Sequence, residues 1–169
     1  MSNSMILISV LLVLAVVVPL IVLNISGKGE TKTVIHKTKE YAKEAQLKFN
    51  TKESWGNRFI AIDKNRNVLV FSRMVNGEVM IRKIALEKVE KVEVQMETKT
   101  VKVNAVKEKL LQKMELAIGC YDQPDNPLVL NFYELGQIYT EDYEQRRAEK
   151  WKAIINEAAK NNEMVKKVA

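Results

Sequence analysis

The apolar positions of this chain follow three successive patterns. From Met5 to Leu23 they are continuous (MILISVLLVLAVVVPLIVL), broken only by Ser9 and Pro19. From Trp55 to Tyr133 they mostly alternate with polar residues, and from Ala148 to Ala158 they recur every three or four positions. Between the first two patterns, in residues 25–52, Val34, Ile35, Tyr41, Ala42, Ala45 and Phe49 fall at roughly helical spacing among charged residues. The chain thus divides into an apolar segment (1–24), a helical juxtamembrane stalk (25–52), a domain (53–159) and a polar tail (160–169).

Alternation and turn chemistry together predict seven strands in the domain. Arg58–Ile62 ends in the polar cluster Asp63-Lys64-Asn65-Arg66-Asn67. Val68–Phe71 is the second strand. Met74-Val75 and Glu78-Val79 flank Asn76-Gly77, the preferred pair for a two-residue hairpin turn, and the third strand runs from Val79 to Leu86. Leu86, Val89 and Val92 mark a short turn, after which Val92, Val94 and Met96 alternate as a fourth strand. Thr98-Lys99-Thr100 reads as a turn before a fifth strand carrying Val101, Val103 and Ala105. Residues 107–113 fit a loop or a short helix equally well. Met114, Leu116, Ile118 and Cys120 form a sixth strand, residues 122–127 a break, and Leu128–Tyr133 a seventh strand. Thr140 is a good N-cap, with Glu141, Asp142 and Glu144 suited to the positive end of a helix dipole. Ala148, Trp151, Ile154, Ile155 and Ala158 then form one apolar stripe.

The 19 residues from Met5 to Leu23 would span roughly 29 Å as a helix, close to the hydrocarbon thickness of a bilayer. No Lys or Arg precedes them and no small-residue cleavage site follows, so the segment reads as an uncleaved transmembrane anchor. Lys28, Lys32, Lys37, Lys39, Lys43 and Lys48 follow it, which places the N-terminus outside and residues 25–169 in the cytoplasm. Asn24-Ile25-Ser26 matches a glycosylation sequon but abuts the membrane on the predicted cytoplasmic side. The stalk has two readings. Its lysines could meet anionic lipid; alternatively it is a solvated linker or a helix packed on a sister chain, the reading its glutamates favour.

Seven strands followed by one helix resemble the pleckstrin-homology (PH) superfold. Ile84-Ala85-Leu86, Val89 and Val92-Glu93-Val94 are similar to the strand-3 to strand-4 passage of bacterial PH-like domains. The resemblance covers residues 55–159 and rests on strand order and the helix. It implies a mainly β (α+β) class: an N-terminal transmembrane helix, then a PH-like seven-stranded antiparallel barrel capped by a C-terminal amphipathic helix. It also implies an aromatic residue on that helix packed into the barrel, the place Trp151 takes. Lipid-binding members carry basic residues around the first hairpin. Here Lys64 and Arg66 occupy that turn, with Arg73 and Arg82 on the next two strands.

Composition narrows the chemistry. A single Cys and a single His leave no disulfide framework within the chain and no Cys- or His-rich metal site. His36 lies in the stalk, far in sequence from any nucleophile of the domain, and Cys120 alternates with apolar residues as a buried thiol would. No phosphate-cradling glycine motif is present. No catalytic residue, cofactor or metal is therefore expected. The net charge of +6 comes from 27 Lys+Arg against 21 Asp+Glu, interleaved along the chain, which speaks against nucleic acid. The expected function is a non-catalytic protein-interaction or scaffold module at the cell membrane. It would be held in the lipid bilayer by residues 5–23 and would bind an unidentified protein, a further copy of itself included. The alternative is an anionic-lipid-binding domain using Lys64, Arg66, Arg73 and Arg82.

Overall fold

The apolar segment and the stalk as far as Glu44 form one helix, α1 (Asn3–Glu44). The structure is a computed structural model that describes residues 3–103, 106–136 and 143–168, with side chains at 11–18, 29–102, 107, 109–136 and 143–160. Among the described residues, no helix is long and apolar enough to cross a membrane. Of the predicted anchor, the described side chains are those of residues 11–18. All are exposed, Leu12 to 64%. The rest of that segment's side chains lie outside the described residues.

The second half of α1 is not a solvated stalk. Val34, Thr38 and Ala42 repeat every four residues, fall on one helix face and are buried against a four-stranded antiparallel sheet. That sheet contains β1 (Thr51–Trp55), β2 (Arg58–Asp63), β3 (Val68–Val75) and β4 (Glu78–Ala85), in that order. Val34 packs with Phe59 and Ala61, and Ala42 with Leu47, Val68 and Val70. Thr31 donates its hydroxyl to the Gly56 carbonyl at the β1–β2 turn. After Glu44 the chain reverses at Gln46, whose φ of 53° lets Leu47 N–H reach the Ala42 carbonyl at 2.7 Å and tucks Leu47 under the helix. Phe49 then meets Phe59, ring centroids 6.0 Å apart.

Buried polar pairing locks α1 to β3. The Thr38 hydroxyl donates to the Val34 carbonyl (2.7 Å), so the Ser72 hydroxyl 2.6 Å away must donate to Thr38. Both side chains are fully buried. Thr38→Val strands the Ser72 hydroxyl and is expected to cost about 1–3 kcal/mol. Adding Ser72→Ala should recover most of the loss, as read by denaturant unfolding of the two variants.

β2 is buried along its whole length because α1 covers Phe59 and Ala61 while Ile60 and Ile62 face the main core. This is why it reads as an apolar run rather than an alternation. The β3–β4 turn uses Asn76 (φ 51°) and Gly77 (φ 82°), two consecutive positive φ values, as the Asn-Gly pair predicts. A single 3-10 turn (Leu86–Lys88) leads into a second antiparallel sheet. It contains β5 (Val89–Val103), β6 (Val106–Cys120) and β7 (Gln123–Glu134), in that order. The helix α2 (Glu144–Val168) packs its Ala148, Trp151, Ile155 and Ala159 into the core between the sheets.

The class is therefore mainly β with a C-terminal helix and seven strands in two antiparallel sheets, but the predicted barrel is not closed. Where the sheets meet, side chains of one bind the main chain of the other. Arg82 Nη1 donates to the Val129 carbonyl (3.1 Å), Arg58 Nε to that of Asn131 (2.8 Å) and Trp55 Nε1 to that of Phe132 (3.0 Å). Successive β7 residues thus meet β4, β2 and then β1. β7 crosses the first sheet instead of lying alongside a strand, so no ladder can join them.

The seven strands are also not the seven predicted. β1 begins at Thr51, inside the predicted stalk; its inward positions Thr51 and Glu53 are polar like the exposed Lys52 and Ser54, which hides the alternation. The predicted turn at Thr98–Thr100 lies within one continuous β5, and residues 107–113 belong to β6. A register shift between Glu97 and Thr98 leaves Gln112 as an extra residue on β6, which breaks the period of two. β7 starts at Gln123, within the predicted break. α2 continues through the predicted tail to Val168, while Ala105, Thr140, Glu141 and Asp142 lie outside the described residues.

Candidate functional site

Among the described residues, the densest polar constellation lies where α2 begins. β1 turns Glu53 toward the core side of its sheet, two residues before Trp55. Its carboxylate accepts from Arg147 Nε (2.8 Å), Lys150 Nζ (2.9 Å) and Trp151 Nε1 (2.9 Å), three donors spaced along one face of α2. Arg147 also lies over the Trp55 ring, 4.9 Å from its centroid. Trp55, Phe71 and Phe132 form an aromatic cluster beneath, with Trp55 and Phe132 4.8 Å apart. Burial pushes the Glu53 carboxyl up, but the hydrogen bonds from Lys150, Arg147 and Trp151 outweigh it and hold the group below its ordinary value.

That direction has a consequence for stability. A carboxylate with a depressed folded pKa stabilises the fold above its unfolded value of about 4.3, and that contribution is lost as pH falls through the lower folded value. Thermal unfolding between about pH 5 and 2 should therefore show a smaller drop in midpoint for Glu53→Gln than for the parent chain. Equal slopes would mean that Glu53 is not held down by its partners.

Next to this cluster lies Arg58, fully buried on β2. Its Nε and Nη2 bind the carbonyl and the side-chain oxygen of Asn131 (2.8 and 2.5 Å), and Nη1 binds Asn57 Oδ1 (2.8 Å). Asn131 Nδ2 donates in turn to Glu134 (3.3 Å), and buried Glu144 meets Arg147. The constellation ties β1, β2, β7 and α2 together through paired charges, and each of its carboxylates faces a donor. Its chemistry is that of a clamp.

Of the residues singled out in the sequence, Trp151 sits fully buried in the main core. The four basic positions do not converge on one patch. Lys64 and Arg66 occupy the β2–β3 turn, at the far end of α1 from Thr31. Arg66 Nη1 and Nη2 bind the Ala45 carbonyl (3.0 Å) and Gln46 Oε1 (3.2 Å), so its guanidinium fastens the end of α1. The same turn is held by buried Asp63, which accepts from the N–H groups of Lys48, Asn65 and Arg66. Arg73 lies at the opposite end of the sheet, across from Arg58, and Arg82 is engaged with β7. Cys120 is buried, and burial pushes its thiol up, which keeps it protonated. His36 is exposed on α1 beside Glu40.

Sequence reasoning missed Glu53, Arg58, Asn131 and Arg147. The usable signal was the charge or amide inside an apolar strand: Arg58 opens the run FIAI, and Asn131 interrupts LVLNFY. Polar residues in such places are buried with partners more often than exposed. No protein-family model matches the chain, and comparison with curated proteins and with solved structures gives no match.

Proposed function

We propose that this chain is a membrane-held, non-catalytic interaction module. Residues 5–23 would be a single transmembrane pass with the N-terminus outside, and the β domain, PH-like in its strand order and terminal helix, would lie in the cytoplasm. The observation that carries the reading is the continuity of α1. One helix joins the apolar run to a stretch clamped on the β domain, with no flexible linker between them. Thr31, at the first described contact, follows Leu23 by eight residues, about 12 Å of helix. An anchored α1 would thus hold the domain at a fixed height and angle at the membrane surface, presenting its free strand edges to partners in the membrane plane. A scaffold uses such placement.

The test is the behaviour of the full chain in its native membrane. It is expected to stay in the pellet through high salt and an alkaline wash. A thiol reagent that cannot cross membranes should label Ser4→Cys in intact cells, and Lys64→Cys only after permeabilisation. Release of the chain at alkaline pH, or labelling of Lys64→Cys from outside, would sink the reading.

A further inference from the structure

We infer that the second sheet links copies of this chain head to tail. The inference deepens the membrane-held reading and rests on it for the alignment of neighbouring copies. The β5–β6 hairpin is 15 residues long on each side, but β7 pairs with β6 only from Lys113 onward. Beyond Thr98 and Leu111 it continues for about 17 Å as a two-stranded ribbon that no third strand joins among the described residues. Residues 98–112 carry four lysines against one glutamate. Lys102 stands directly opposite Lys107, and Lys109 is two places along on the same face. Like charges in opposed positions destabilise a ribbon. Among the described residues, none of these three lysines has an ion-pair partner.

The other end of the same sheet has the opposite sign. Residues 87–93 and 121–127 carry Glu87, Glu90, Glu93, Asp122 and Asp125 against Lys88 and Lys91. Those two lysines pair locally with Asp122 (2.7 Å) and Glu93 (3.2 Å). Twelve residues of strand separate Glu90 from Lys102, so the two poles stand roughly 40 Å apart. Their axis matters. β7 crosses from β4 to β2 to β1, whereas α1 runs along these strands from Val34 beside Phe59 to Ala42 beside Val68. The basic and acidic poles therefore lie to either side of α1. Copies whose α1 helices stand parallel in one membrane would present the basic ribbon of one to the acidic pole of the next at a matching height. Such a contact is heterologous and repeats along a row. Pro124 and Pro127 remove N–H donors from the β7 edge at the acidic pole, which disfavours strand addition and leaves side-chain charge to make the contact.

The experiment is sedimentation of the full chain in a zwitterionic detergent. Mass should rise with concentration and fall to that of a single chain at about 0.5 M salt, where charge is screened beyond about 4 Å. The ribbon variant K102E/K107E/K109E and the pole variant E87K/E90K/D125K should each weaken association at least tenfold. An equimolar mixture of the two should restore it, since their charges are complementary again. A parent chain that stays single at every concentration, or a mixture that does not recover, would overturn the inference. So would a ribbon variant that loses binding to phosphatidylserine vesicles with its mass unchanged, because the ribbon would then be a lipid contact. Alkaline-wash retention of the same variants is read separately. Retention without association removes the head-to-tail contact alone, and release removes the membrane-held reading.

Discussion

Trp151→Ala should cost the fold about 3–5 kcal/mol, among the largest losses available to a single truncation in this chain. Trp151 is fully buried between the two sheets, among Ala148, Ile155 and the residues of the main core. Truncation leaves a cavity that rigid strands on two sides cannot collapse into. It also removes one of three donors to Glu53. Trp151→Phe separates the two effects. The ring volume is largely kept and the indole N–H is lost, so the cost should fall to about 1–3 kcal/mol, the range for a hydrogen bond to a charged group. Arg147 and Lys150 still hold the carboxylate. The chain has only two tryptophans, so in both variants Trp55 alone reports denaturant unfolding by fluorescence. A loss below about 1 kcal/mol for Trp151→Ala would show that α2 is a surface appendage and not the closure of the core.

The sequence made some of this legible and hid the rest for identifiable reasons. Trp151 was readable because a helix on the surface of a β domain must bury one stripe, and Ala148, Trp151 and Ile155 mark it at the helical period. The β3–β4 hairpin was readable because Asn-Gly is nearly alone in tolerating two positive φ values. The docking of α1 was not. Val34, Thr38 and Ala42 are a sparse stripe, with a hydroxyl at its centre whose partner, Ser72, is 34 residues away. Only the fold brings the two together. The length of β5 and β6 was hidden by the bulge at Gln112, since a single extra residue shifts every later side chain to the opposite phase. The clamp around Glu53 was invisible because it joins β1 to α2 across more than 90 residues, and no local pattern encodes that meeting.

Arg58→Met is expected to destabilise the fold by about 3–5 kcal/mol even though methionine is apolar and can fill much of the space. The guanidinium is fully buried, and its fork supplies donors to both oxygens of Asn131 and to Asn57. Without it the buried oxygens of Asn131 and the half-buried one of Asn57 have fewer donors, and Glu134 and Glu144 lose a neighbouring positive charge. The charge is itself held at a cost. Burial, together with Arg73 across the strand, lowers its pKa to about 10, against the pull of Glu134 and Glu144. Because the folded value lies below the unfolded one, ionised Arg58 lowers stability at neutral pH, and that deficit is relieved only as pH rises through about 10. The residue thus contributes geometry more than net energy. It fixes where β7 crosses β2, at Asn131 and at no neighbouring position. Arg58→Lys should fail almost as badly, since a single ammonium cannot reproduce the fork on Asn131. Arg58→Met combined with Asn131→Leu should regain part of the loss, because the side-chain amide left without its donor is then removed, while the Asn131 carbonyl and Asn57 Oδ1 still lack theirs. If Arg58→Met alone unfolds at the parent's denaturant midpoint, β7 is placed by its apolar side chains, and the arginine is a passenger in the core.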